Sequence, residues 1–202
     1  AVYCCTDTEF LGDIVFADII KTDSREAIDR LHRMGMKQAI MLTGDRESIA
    51  ADIAAKAGLG GYYAKLLPEE KVQRVQALQQ QGHTVLYAGD GINDAPVLAA
   101  ADLGVAMGGA GADVAIEASD MVIQGDSLSQ LPVGVTVARK TVGIARENII
   151  FAIAVKLLII LGCAVGIFDE NAMWLAVFGD VGVCLLAVAN ALRVLHIRKK
   201  KK

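Results

Sequence analysis

The stretch Thr84-Val85-Leu86-Tyr87-Ala88-Gly89-Asp90-Gly91-Ile92-Asn93-Asp94-Ala95-Pro96 decides how this chain folds. Residues 84–88 include Thr, Val and Tyr, the bias of a short strand. Two glycines then make a turn, and residues 94–101 read as a helix. Within that turn two carboxylates, Asp90 and Asp94, flank Asn93. Hard oxygen donors placed this way suit Mg²⁺, which takes one or two carboxylates and keeps waters and phosphate oxygens. Asp90 and Asp94 are therefore the candidate Mg²⁺ ligands, and the glycines let the backbone come close to a ligand. Asp94 also stands where a side chain can cap the following helix. A site at the C-terminal end of a strand is what an open α/β sheet provides.

The same alternation extends outward. Strands are expected at residues 2–5, 10–17, 37–42, 62–65, 103–107 and 120–123, and helices at 23–34, 46–57, 68–81 and 112–118. Asp23 is placed to cap the first of these helices. Gly35, Gly58 and Gly82 stop three of them, and Pro68 opens one at a position whose missing N–H costs nothing. Alternating strands and helices with short links predict an α/β fold, a parallel sheet covered by helices on both faces. Two more turns bear chemistry. Thr43-Gly44-Asp45 follows the strand at 37–42, where the Thr43 hydroxyl and N–H can meet a phosphoryl oxygen; the same tripeptide is equally a helix cap. Lys71 lies in the first turn of the helix that begins Leu67-Pro68-Glu69-Glu70, where the macrodipole prefers anions. It reads either as counter-charge to a bound phosphate or as a solvated lysine. Gly108-Gly109-Ala110-Gly111 lacks a following Gly-Lys-Ser/Thr and is not a nucleotide loop.

Beyond residue 126 the character changes. Hydrophobic residues make up 54% of the 202, and the mean hydropathy is +0.44, high for a soluble protein. Residues 127–147 read as an amphipathic helix. Residues 149–168 carry a single charge, Lys156, and residues 172–195 a single acid, Asp180. Each run can cross about 30 Å of hydrocarbon at about 1.5 Å per residue. The link Asp169-Glu170-Asn171 allows only a tight hairpin. Arg139, Lys140 and Arg146 precede the first run, and Arg193, Arg198 and four lysines follow the second. The positive-inside rule then puts both ends, and the α/β domain, in the cytoplasm of a multi-pass protein of the plasma or inner membrane. The lysines at 199–202 read as an anchor beside anionic headgroups of the lipid bilayer. A net charge of -3 argues against general nucleic-acid binding. Cys4, Cys5, Cys163 and Cys184 show no CxxC spacing and no disulfide framework, which fits a reduced cytosol.

A lysine and an aspartate inside apolar spans are costly and usually functional. Lys156 lies 13 residues before Asp169, and Asp180 lies 9 after Asn171. At 1.5 Å per residue these are depths of roughly 20 and 14 Å, a difference that a lysine side chain covers. An ion pair near mid-bilayer follows, serving either an ion path or the packing of two helices.

Taken together, Thr43-Gly44-Asp45, Pro68-Glu69-Glu70-Lys71, residues 89–96 and Ala101-Asp102-Leu103-Gly104-Val105-Ala106-Met107-Gly108 resemble the phosphorylation domain of P-type ATPases, within the haloacid dehalogenase superfamily. The acids before Met121-Val122-Ile123 continue the match. The resemblance implies that Thr43 binds the phosphoryl group of ATP, Lys71 neutralises it, Asp90 ligates Mg²⁺, and Asn93 and Asp94 support that site. The family's phosphorylated Asp lies in Asp-Lys-Thr-Gly-Thr, a run this sequence does not contain. That motif is expected upstream of Ala1, ahead of a nucleotide-binding domain, with residues 1–20 as the return from that domain. Asn148 with Lys156, Met173-Trp174-Leu175-Ala176-Val177-Phe178-Gly179-Asp180-Val181-Gly182, and Asn190-Ala191-Leu192-Arg193 resemble the last two helices of the heavy-metal subclass. Lys in one helix and Asp-x-Gly in the next mark its zinc/cadmium/lead branch. The Tyr-Asn and Met…Ser-Ser patterns of the copper branch are not in this sequence. Asp180 is then implied as a ligand for Zn²⁺, Cd²⁺ or Pb²⁺ and Lys156 as its built-in counter-ion. Cys163 and Cys184 read as small hydrophobes with thiolate ligation as the alternative, and the family's Cys-Pro-Cys motif is not in this sequence.

The expected organisation is a return segment (1–20), a phosphorylation domain (21–126), a linker helix (127–147), and a transmembrane hairpin with basic tail (148–202). The expected activity is metal export driven by ATP, with this portion inactive alone because it lacks the nucleophile. The rivals are a soluble phosphatase of the same superfamily and a non-catalytic membrane module derived from a pump.

Overall fold

The structure is a computed structural model; it describes residues 2–6, 8–14, 20–89, 92–108, 113–125, 127–167 and 172–196. These fall into two units, Ala1–Gln130 and Leu131–Lys202.

In the first unit β1 (Val2–Cys5) and β2 (Phe10–Ile14) form an antiparallel hairpin. The expected extension of β2 to residue 17 lies outside the described residues. β3 (Ile40–Leu42) pairs in parallel with β4 (Gly61–Tyr63). β5 (Leu86–Gly89), β6 (Leu103–Met107) and β7 (Met121–Ile123) form a second parallel ladder in the order β5-β6-β7. Between the strands run α1 (Ser24–Arg33), α2 (Glu47–Ala57), α3 (Pro68–Gln80), α4 (Ala95–Ala100) and α5 (Asp113–Glu117). The expected α/β alternation is therefore present. The expected single parallel sheet is instead two ladders, with β3 and β5 each paired on one side only among the described residues.

Local chemistry explains the boundaries. Pro68 is the first residue of α3, and the Glu70 carboxylate accepts the Leu67 N–H at 2.7 Å, filling an orphan donor of that helix start. Gly35, Gly58 and Gly82, expected as stops, take φ of +97°, +73° and +81° just past three helices. Asp23 does not cap α1 as expected. Its carboxylate instead accepts the Ser127 hydroxyl at 2.6 Å and the Ser129 N–H at 3.2 Å, which turns it away from its own helix start. The acids before β6 and β7 pin strand entries: Asp102 accepts the Val85 N–H and Asp120 the Gly104 N–H, both at 2.8 Å.

The core sits where α4 and α5 cover β6. Leu98, Ala106 and Ala115 are buried together, with the rings and methyls of Tyr87 and Ala118 packed against them. Gly104 permits that packing. A Cβ at this position would lie 2.5 Å from the Leu98 carbonyl oxygen, a backbone atom that cannot step aside. Gly104→Ala should therefore cost about 3 kcal/mol by overpacking, measured as a loss of stability in denaturant unfolding.

The Ser127 hydroxyl is the main influence that lowers the Asp23 pKa from its ordinary value. A depressed folded-state pKa stabilises above the unfolded value and loses that contribution as pH falls through the folded one. Ser127→Ala is expected to cost about 1 kcal/mol at neutral pH. The difference from the parent should shrink as pH falls from the ordinary carboxylate range through the lowered folded-state pKa. Unfolding followed at pH 7 and at pH 3 checks both parts.

The second unit is built on α6 (Gln130–Ala164), a single 35-residue helix in which the expected amphipathic stretch runs unbroken into the first apolar run. α7 (Ala172–Val177), a π-helical turn (Phe178–Gly182), α8 (Val183–Ala191) and a 3₁₀ turn (Leu192–His196) make the second apolar helix. Gln130–Ala164 and Met173–Leu195 are both long and apolar enough to cross a membrane.

Candidate catalytic site and candidate ion site

Two loops at strand ends carry the polar residues of the first unit. After β3, the Thr43 hydroxyl donates to Asp45 Oδ2 at 2.7 Å and accepts the Asp45 N–H at 3.1 Å. The Thr43 N–H, expected to be available to a phosphoryl oxygen, is donated to the Tyr63 carbonyl at 3.0 Å, because the β3–β4 ladder runs one step past Leu42. The Thr43 hydroxyl remains able to re-aim by rotating about its C–O bond. Lys65 takes a left-handed φ of +56°. From there the Lys65 N–H reaches the Asp45 carbonyl at 2.9 Å and the Leu66 N–H the Thr43 carbonyl at 3.0 Å. A non-glycine residue in this region is strained and needs such over-determination. A Cβ at Gly44 would only touch the Leu66 carbonyl, at 3.4 Å. The Thr43–Gly44–Asp45 turn is thereby fastened to the loop that leads into α3.

α3 carries Lys71 to the second loop. Lys71 Nζ lies 2.8 Å from Asp94 Oδ1, and the Tyr87 hydroxyl donates to the same oxygen at 3.0 Å. The two charged side chains are only 16% and 14% exposed. Asp94 thus makes no capping bond to α4, in contrast to the expected cap, because Lys71 and Tyr87 hold its carboxylate. The solvated-lysine reading of Lys71 is likewise corrected, since its ammonium is paired and mostly covered. Asp94 and Asn93 lie in the 3₁₀ turn Ile92–Asp94, with Asn93 exposed. Asp90 lies outside the described residues. Tyr87 was not singled out from the sequence; only its place in the strand that enters the glycine turn pointed to it.

Gly89, the last residue of β5, supports the close approach expected of a glycine here. A Cβ at this position would lie 2.9 Å from both Cβ and Oδ2 of Asp94. Any larger residue would crowd that carboxylate.

In the second unit Lys156 Nζ and Asp180 Oδ1 are 2.7 Å apart, the pairing expected from their depths. Asp180 sits in the π-helical turn, a feature with no clear sequence signal beyond the two glycines beside it. The pair opens on a cleft of about 480 Å³ shared with Ile159, Ile160, Val177 and Gly179. Cys163 and Cys184 are free thiols. Farther along, Asn148 donates to the Ala187 carbonyl at 3.0 Å and accepts from Asn190 at 2.8 Å. Arg193 donates to Asn190 at 2.9 Å. This polar chain clasps α6 to the end of the second apolar helix.

Comparison with known proteins bears on the family and the fold. A family profile described as haloacid dehalogenase-like hydrolase matches residues 2–102, half of the chain. The chain belongs to that family. Among curated proteins it is similar to the cadmium, zinc and cobalt-transporting ATPase of Bacillus subtilis, with 44% identity over 98% of this chain and 28% of that protein. It is also similar to the zinc-transporting ATPase of Synechocystis, with 47% identity over 96% of this chain and 27% of that protein. A crystal structure of a zinc-transporting PIB-type ATPase in the E2.Pi state superposes with a TM-score of 0.81 at 40% identity, covering 89% of this chain and 28% of that one. The chain therefore spans a little over a quarter of the length of the relatives it matches.

Proposed function

We propose that this chain is the C-terminal part of an ATP-driven exporter of zinc or cadmium, with lead as a third candidate ion. The observation that carries this reading is the Lys156–Asp180 pair, closed at 2.7 Å between two apolar helices. Its side chains are 56% and 70% exposed on the two-helix unit. Charges at such a depth do not face lipid without a large penalty. Further helices of a longer pump would cover them, and the 28% coverage of the relatives supports that length. Asp180 is then a carboxylate ligand of the transported ion, and Lys156 the internal cation that replaces the ion when it leaves. A soluble phosphatase would have no use for these helices.

The unit of residues 1–130 performs the phosphoryl chemistry in this reading. The phosphorylated aspartate would be supplied by the rest of the pump. Thr43, Gly44 and Asp45 hold the phosphoryl group, Lys71 offsets its charge from α3, and Asn93 steadies the turn. The donor set fits Mg²⁺ in kind: Asp94 brings a hard carboxylate to the turn after β5, its Oδ1 held by Lys71 and Tyr87. Asp90 and Asp94 would hold that ion, which when bound supplies positive charge to the phosphoryl oxygens of ATP. Residues 1–20 return from the nucleotide-binding domain, 21–126 complete the phosphorylation domain, 127–147 link it to the membrane, and 148–202 are the hairpin and basic tail. The α/β unit and the tail face the cytoplasm.

The test is ATP hydrolysis by the complete protein, in detergent with lipid, across a panel of metal ions. Stimulation by zinc, cadmium or lead but not by copper(I), sodium or potassium is the expected result. Stimulation by copper(I) alone, or none by any ion, would overturn the assignment.

A further inference from the structure

Gly179 is buried on a helix whose neighbouring residues are exposed. It lies in the π-helical turn immediately before Asp180. A Cβ built on Gly179 would overlap Cδ1 of Ile159, one turn along α6 from Lys156. Ile159, Lys156, Gly179 and Asp180 all line the same cleft of about 480 Å³. The contact between Gly179 and Ile159 is thus also part of the wall of the ion-pair cleft.

We propose that Gly179 is a positioning residue for the ion site: by lacking a side chain it sets how near α6 comes to the π-helical turn, and so whether Lys156 reaches Asp180. This rests on the reading of Asp180 as a ligand of the transported metal. A methyl group at residue 179 has two ways to be accommodated. Either the helices part, which lengthens the gap that Lys156 must close, or Ile159 turns its terminal methyl within the cleft it shares with the pair. Isoleucine in a helix is nearly confined to one χ1 rotamer, so only its outer bond is free to turn. Both routes change the space and the charge balance around Asp180 without removing either charge.

The experiment uses the complete pump with zinc alone as the probe, and reads the zinc concentration for half-maximal ATPase separately from the maximal rate. Gly179→Ala is expected to raise that concentration about tenfold, the order expected of an overpacked contact. Ile159→Val removes Cδ1, so Gly179→Ala combined with Ile159→Val should return to within about twofold of the parent if the contact is the cause. A general loss of helix packing would not be repaired by taking a methyl away. Should Gly179→Ala fail to accumulate, Ile159→Phe crowds the same contact from the other side and is expected to shift zinc dependence in the same direction. An unchanged zinc dependence in Gly179→Ala, a shift that persists in the double variant, or no shift in Ile159→Phe would overturn the proposal. Asp180→Ala is measured alongside. If it retains zinc-dependent activity, the metal-ligand reading fails and the positioning role with it; if it loses that activity while Gly179→Ala behaves as the parent, only the positioning role fails.

Discussion

Asp180→Ala is expected to remove zinc-stimulated ATP hydrolysis and high-affinity zinc binding from the complete pump. The carboxylate stands 2.7 Å from Lys156, and the two are paired only with each other among the described residues. Truncating Asp180 takes away the negative charge that a divalent ion requires and leaves Lys156 to repel it. Lys156→Ala has a different signature. The ion still binds at Asp180, but no internal cation takes its place, so release and turnover change while stoichiometry holds. Both variants should insert normally, because each removes a penalty of about 2.5–3.5 kcal/mol for a charge at the centre of a membrane helix. Zinc stoichiometry and zinc-stimulated ATPase of each variant separate the two roles. Parental zinc binding by Asp180→Ala would reduce the pair to a helix clamp.

The second large effect is expected at the end of β5. Asp90→Asn in the complete pump should lower phosphoryl transfer by at least about a hundredfold, the scale of losing a metal-held electrostatic contact to the reacting group. Asp90 follows Gly89 directly, and a Cβ on Gly89 would crowd the Asp94 carboxylate. Asparagine keeps the shape and removes the charge that would hold Mg²⁺, so folding should be untouched. Val85→Ala, just ahead of the same strand, serves as the contrast: it should cost about 1–3 kcal/mol of stability while leaving the phosphoryl chemistry of the folded fraction intact. Phosphoenzyme formed from labelled ATP at low Mg²⁺ is the measurement, and near-parental levels in Asp90→Asn would remove Asp90 from the site.

Much of this was legible before any coordinates. Periodicity located α1 to α5, and glycine stops ended the first three, because those signals are local. The two apolar runs were equally plain, since about twenty uncharged residues have few other uses. Depth counting paired Lys156 with Asp180 because rise per residue converts sequence directly into distance. Contacts that depend on distant residues were not legible. Asp23 and Ser127 are 104 residues apart, so nothing local showed that Ser127 would draw Asp23 away from its helix. Asp94 looked like a cap for the same reason, its partners Lys71 and Tyr87 being delivered by α3 and β5. The π-helical turn escaped because one extra residue in a turn leaves the hydrophobic pattern almost unchanged. The separation of β3–β4 from β5–β6–β7 was also hidden, since strand order is a property of the assembled sheet.

The central claim is that these residues belong to a pump that moves a divalent metal ion at the expense of ATP. Its most direct test is uptake of labelled zinc into sealed vesicles carrying the complete protein with its nucleotide-binding side outward. The account predicts accumulation that requires ATP and Mg²⁺, is competed by cadmium, and is absent from Asp180→Ala. Zinc accumulation that proceeds equally without ATP, or that survives Asp180→Ala undiminished, would contradict it.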